Sequence, residues 1–205
     1  MGLFVIAFSS FVVALSGALV PGPLFSITVA ESARRGAIAG PLIIIGHGIL
    51  ELSLIVLLVL GITPFLSSPS AKLIISIVGG LVLIFMGFGL IRDARGATLL
   101  ISEGEGRKGI HPVFSGIIGS VSNPYWSIWW VTIGMSYLVS AVTFGWLGVA
   151  VFFIGHILAD LGWYSLISLA VAKGKKVMGD RGYRFLLCCC GAFLVFFGLW
   201  FLKGI

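Results

Sequence analysis

Charge is what this chain has least of. Of its 205 residues, 10% are Asp, Glu, Lys or Arg, against about 25% in a soluble domain. So little polar surface cannot coat a globule in water, and a soluble fold is excluded. Cysteine is scarce as well: there are three, and they are consecutive, Cys188, Cys189 and Cys190. Neighbouring helical positions point about 100° apart, so these three cannot cage a metal among themselves. There is no Cys-x-x-Cys pair and no disulfide framework, and the three read as small apolar packing residues. No Lys or Arg precedes Arg34. A cleaved signal peptide wants a basic leading segment, so the first apolar stretch is expected to be a retained helix. Gly2 is not followed by Ser or Thr at position 6, which excludes the myristoylation pattern.

What is present is apolar. Hydrophobic residues make up 59% of the chain, and its mean hydropathy is +1.18. The expected fold class is an all-α integral membrane protein, with lipid as its first partner. The net charge of +6 does not indicate nucleic acid, because the basic residues sit in short loops without an aromatic-interleaved face.

A helix needs about 20 apolar residues to cross a bilayer. The apolar runs are 3–30, 37–61, 72–91, 113–139, 144–172 and 185–202. Runs four and five nearly merge, and Ser140, Thr143 and Gly145 mark the expected turn between them. Six spans place Arg34, Arg35, Arg92, Arg95, Arg107, Lys108, Lys173, Lys175, Lys176, Arg181 and Arg184 on one side. The other side keeps only Lys72 and Lys203. Basic loops stay in the cytoplasm, so both termini are expected outside.

The two halves also repeat one another. Gly46-His47-Gly48-Ile49-Leu50-Glu51 is echoed 109 residues later by Gly155-His156-Ile157-Leu158-Ala159-Asp160. Gly80, Leu83, Phe85 and Gly87 recur after 111 residues as Gly191, Leu194, Phe196 and Gly198. Pro21-Gly22-Pro23 has a looser counterpart in Asn123-Pro124. We expect a first three-helix repeat over 1–91, a cytoplasmic inter-repeat loop over 92–112 and a second repeat over 113–205. Three is odd, so the second repeat must run inverted, with substrate on a pseudo-twofold axis near mid-membrane.

Glu51 and Asp160 fall near the middle of runs two and five. An acid at bilayer depth costs about 2.5–3.5 kcal/mol on insertion scales and is seldom left without a purpose. His47 and His156 precede these acids by four residues, which puts each His on the face of its acid. Three readings stand: proton and substrate coupling through His47, Glu51, His156 and Asp160; a divalent metal held by the same four; or structural hydrogen bonding between helices.

Pro21-Gly22-Pro23 should break the first helix, and Asn123-Pro124 the fourth. Backbone groups freed at membrane depth need a partner from protein, water or ligand. The second half of a broken helix offers amide N–H groups suited to a carboxylate, with the hydroxyls of Ser26 and Thr28 close behind. Near Asn123 lie Ser120 and Ser122. Tyr125, Trp126, Trp129 and Trp130 read first as membrane-interface markers, with a cavity wall as the alternative. Gly36 with Gly40, and the glycine pairs of helices 3 and 6, permit close helix approach and offer a face for a homodimer. Glu31 and Arg35 are spaced to pair. Trp163 and Tyr164 follow Asp160 as packing residues or cavity lining.

With these residues in place the chain resembles the LysE/RhtB amino-acid exporter family over almost its whole length. The resemblance rests on Pro21-Gly22-Pro23, Arg34-Arg35-Gly36, Gly40, Gly46, Leu90-Ile91-Arg92 and Asn123-Pro124. It implies a multi-pass exporter in a prokaryotic inner membrane. The implied substrate is an amino acid or related small metabolite, moved by the proton motive force without cofactor or enzymatic step. Substrate contacts would come from Pro21, Gly22, Pro23, Ser26, Asn123, Pro124, Glu51 and Asp160. Many members carry Asn after Pro-Gly-Pro and Lys after Asn-Pro; here Leu24 and Tyr125 stand there, which bears on the substrate rather than the fold. Relatives in the wider superfamily move metal ions, which keeps a divalent-metal exporter as the alternative.

Overall fold

The computed structural model of the protein describes residues 2–19, 22–61, 69–96 and 109–203, with the side chains at 71, 72, 75, 124, 125, 128, 132 and 175–178 left aside. All regular structure among the described residues is helical. In chain order the helices are α1 (Leu3–Ala18), α2 (Pro23–Arg35), α3 (Ala39–Val59), α4 (Pro69–Ala94), α5 (Pro112–Val121) and α6 (Pro124–Trp129). A π-helical turn over Trp130–Gly134 leads into α7 (Met135–Val142). The last stretch is α8 (Gly145–Gly174) and α9 (Gly179–Lys203), parted where Gly179 takes φ 65 and ψ 170.

Four of these, Ala39–Val59, Ser76–Ala94, Gly145–Gly174 and Gly179–Lys203, are long and apolar enough to cross a membrane. The first apolar run is two helices bent by 78°. Gly22 caps α2 in extended conformation (φ −139, ψ −173) and Pro23 occupies its first turn, where a missing N–H costs nothing. Pro21 lies outside the described residues. The fourth run is interrupted at Ser122-Asn123, and α6 starts at Pro124. The turn between runs four and five falls at Thr143-Phe144, followed by Gly145 at φ 62. One boundary differs from expectation: α9 begins at Gly179, not near 185, and takes Asp180, Arg181 and Arg184 into its first turns. Charged side chains end an apolar run, but they do not interrupt backbone hydrogen bonding.

The burial pattern inverts that of a soluble protein. Phe4, Leu60, Phe85 and Phe185 are exposed, while Ser10, Thr28, Ser32, His47, Glu51, Ser115, Ser120, His156, Asp160 and Ser168 are buried. In lipid the polar atoms turn inward to find partners. Ser168 shows how: its hydroxyl donates to Ala37 O at 2.8 Å and accepts from Gly40 N at 3.0 Å and Ser32 Oγ at 2.8 Å. The α2–α3 corner is thereby tied to α8.

Glycines set the helix contacts, and the contacts are reciprocal. A Cβ on Gly80 would lie 2.9 Å from Gly198 O, and one on Gly198 would lie 2.6 Å from Gly80 O. Gly87 and Gly191 face each other likewise, at 2.5 and 2.6 Å. These faces therefore join α4 to α9 within one chain. Leu83 and Leu194, fully buried, fill the space between the two glycine pairs. A similar echo links α3–α5 to α8–α1. Gly46 abuts the Val113 backbone and Gly155 abuts that of Ala7; Gly116 abuts Ile43 O, and Ser10 Oγ donates to Phe152 O at 2.6 Å. Ala7 and Ser10 stand 106 residues before Val113 and Gly116; Ile43 and Gly46 stand 109 before Phe152 and Gly155.

Candidate functional site

The acids and histidines converge. One turn of α3 carries His47 and Glu51, and one turn of α8 carries His156 and Asp160. His47 Nε2 lies 3.1 Å from Glu51 Oε1 and 3.5 Å from Asp160 Oδ2. His156 Nε2 lies 3.3 Å from Glu51 Oε2 and 3.5 Å from Asp160 Oδ2. All four side chains are buried. Each His thus reaches its own acid and that of the other helix.

The supporting atoms come from the second half of the chain. Gly46 and Gly116 let α3 and α5 touch backbone to backbone, which brings Ser120 Oγ within 2.7 Å of His47 Nδ1. Glu51 Oε1 accepts from Trp126 Nε1 at 3.1 Å and from Trp130 Nε1 at 2.9 Å. The interface reading of these tryptophans is therefore corrected. An indole N–H is a donor with no acceptor partner of its own, and two of them four residues apart form a fork for one carboxylate oxygen. Gly134 admits the bulk: a Cβ there would lie 2.7 Å from the Trp130 ring and 3.0 Å from that of Trp129. Replacing Trp130 by Phe removes one bond to a buried carboxylate and should lower thermal stability in detergent by ~1.5–3 kcal/mol. Trp126→Phe should cost less, its ring being only half-buried.

Acceptor capacity is left over. Glu51 Oε2 and Asp160 Oδ2 are buried with no well-aligned donor, although a ring nitrogen stands near each. His47, Glu51 and Asp160 each present a ligand atom within 4.8 Å of the others. That donor set fits either a proton shared among acceptors or a cation.

The cluster forms one wall of a cavity of about 600 Å³. Gly22, Pro23 and Leu24 border it at the start of α2, and Asn123 at the break before α6. Trp126, Trp129, Tyr164, Phe197, Trp200 and Phe201 give it an aromatic lining. Of the residues expected to meet substrate, Gly22, Pro23, Asn123, Glu51 and Asp160 line this space. Ser26 is buried but not on the cavity wall, and Thr28 donates to Leu24 O at 2.8 Å within its own helix. Pro124 starts α6; its side chain, like all of Pro21, lies outside what is described. Tyr164, read as a packing residue with cavity lining as the alternative, does both: it stands one turn beyond Asp160 on the same face, lines the cavity and belongs to the core. The contributions of Ser76, Phe197, Trp200 and Phe201 had no signal in the sequence.

A second polar group closes the far end of α2. Arg35 Nε donates to Glu31 Oε2 at 2.6 Å, as the spacing predicts, and Arg35 also reaches Ile110 O at 3.1 Å. Arg34 pairs with Asp93 at 2.8 Å. These bonds hold α2 to the end of α4 and to the segment before α5.

The family model described as LysE type translocator fits residues 15–204. No curated protein and no solved structure matches the chain.

Proposed function

The chain belongs to the LysE type translocator family, and from that premise we propose that it is a proton-coupled secondary exporter of amino acids or related small metabolites. The observation that carries this reading is the placement of His47, Glu51, His156 and Asp160 on the wall of a cavity that also meets the start of α2 at Gly22–Pro23. That volume suits a small organic molecule. The first amides of α2, at Leu24 and Phe25, offer partial positive charge to a substrate carboxylate. Glu51 or Asp160 receives the ammonium, and the other acid carries the coupled proton with its histidines.

The alternating step follows from architecture. In this reading the chain is six spans in two inverted repeats, 1–91 and 113–205, with both termini outside a prokaryotic inner membrane. The reciprocal glycine contacts of α4 with α9 support it, because a twofold axis requires each contact to occur twice. So does the concentration of Lys and Arg on one set of loops. The repeats rock about the cavity and open it to each side in turn.

A second reading, export of a divalent metal, draws on the convergence of His47, Glu51 and Asp160. The two are separated by purified protein in detergent and in vesicles. A ligand at about 100 times its Kd raises stability by ~2.7 kcal/mol. We expect melting to rise with one or more amino acids, and a proton gradient to drive the same compound across vesicles. Stabilisation by transition-metal ions alone, with no amino acid moved, transfers the assignment to the second reading.

A further inference from the structure

We propose that the two histidines are held differently: Ser120 is a positioning residue that fixes the orientation and tautomer of His47 by anchoring Nδ1, while Ala14 at the corresponding place leaves His156 Nδ1 without an anchor.

The argument is one of hydrogen atoms. Ser120 Oγ lies 2.7 Å from Gly116 O. A carbonyl only accepts, and we assign the single hydroxyl hydrogen of Ser120 to it, since two oxygens 2.7 Å apart need a hydrogen between them. His47 Nδ1, 2.7 Å from the same Oγ, must then be the donor. The Nδ1 proton is fixed, and the ring presents Nε2 to Glu51 and Asp160. A partner on one ring nitrogen sets what the other can do, for a proton or for a cation alike.

His156 has no such partner. Its Nδ1 is buried without a hydrogen bond. The reason lies in the pairing of helices. The offsets that relate α1 to α5 and α3 to α8 carry Ser120 back to Ala14 as they carry His47 forward to His156. Ala14 is buried and lines the same cavity, but a methyl group neither donates nor accepts. Beside the ring stand Trp129, Trp130 and Phe152, with centroids 5.2, 5.3 and 6.1 Å away. These faces confine the ring but offer Nδ1 no partner, so only the carboxylates near Nε2 hold His156 by polar contact. Near-twofold helices thus surround a centre that is unequal at one hydroxyl. Under the transport reading above, His47 is the fixed member of the centre and His156 the one that reorients during the cycle.

The assignment is tested without transport, by ¹⁵N spectra of the histidines in the full-length protein in detergent. In the unmodified protein His47 should show a protonated Nδ1 in one slowly exchanging state. Ser120→Ala should abolish that signature and give averaged tautomers, while Ser120→Thr, which keeps the hydroxyl, should preserve it. Ala14→Ser should give His156 the signature that His47 has. An unprotonated Nδ1 on His47 in the unmodified protein, or a His47 spectrum unmoved by Ser120→Ala, overturns the proposal. Neither result bears on whether the protein carries amino acids. In vesicles, loss of the anchor should slow substrate flux about tenfold, at the lower end of what outer partners of functional histidines contribute.

Discussion

Glu51→Gln should reduce proton-driven flux in vesicles by at least about 100-fold while leaving the fold intact. The substitution is close to isosteric. Gln retains a carbonyl oxygen where Glu51 Oε1 accepts the two indole N–H groups, so Trp126 and Trp130 keep an acceptor. On the other side an amide N–H₂ replaces Oε2 and faces His156 Nε2, 3.3 Å away. Charge and the capacity to take a proton are lost; volume is not. Removing one member of a buried charged group costs about 3–5 kcal/mol when the partner is stranded. Here two histidines share two acids, and Asp160 still lies 3.5 Å from both ring nitrogens. Melting in detergent should therefore move much less than flux. Asp160→Asn should also abolish proton-driven flux. Exchange of labelled for unlabelled substrate, which needs no net proton movement, separates the roles. The acid that only carries the proton can be neutralised with exchange retained; the acid that holds the ammonium cannot. Undiminished proton-driven flux in the double variant would remove both acids from the mechanism.

How much of this was legible depends on what kind of signal each residue leaves. Glu51 and Asp160 stand out because an acid in an apolar run is costly, and the preceding His at four residues is a local spacing. Pro23 and Pro124 announce helix breaks through covalent geometry alone. Trp126 and Trp130 are different. Their indoles serve Glu51, 75 and 79 residues away in sequence, and no local rule connects them to it. Tryptophan's frequency at interfaces pointed the wrong way, although the i, i+4 spacing of the two was visible. The π-helical turn over Trp130–Gly134 left no trace in apolar periodicity either. The inequality of Ser120 and Ala14 was hidden for another reason. The offset between matching segments is 106 before the helix break and 109 in the next helix, and only the packing of α1 on α8 reveals which residue faces which.

The sharpest test of the packing uses one chemical change with two opposite expected signs. Gly→Ala adds a methyl group and removes backbone freedom, so in an open helical position it stabilises by about 0.5–1 kcal/mol. Gly89 in α4 is such a position, with nothing near its missing Cβ. Gly46 in α3 is the reverse: a Cβ there would run into the Val113 backbone carbonyl, which has no rotamer to move away. The helices must separate, and overpacking of this kind costs ~1–3 kcal/mol, occasionally more. Backbone against backbone belongs at the upper end, and we expect Gly46→Ala to lower stability in detergent by ~3 kcal/mol while Gly89→Ala is neutral or stabilising. Function should follow by a definite route. Moving α5 away from α3 takes Ser120 away from His47 Nδ1, so any Gly46→Ala protein that still folds should lose flux along with the His47 signature. A Gly46→Ala variant as stable as Gly89→Ala would mean that α3 and α5 do not meet at this face, and the site built on their contact would fall with it.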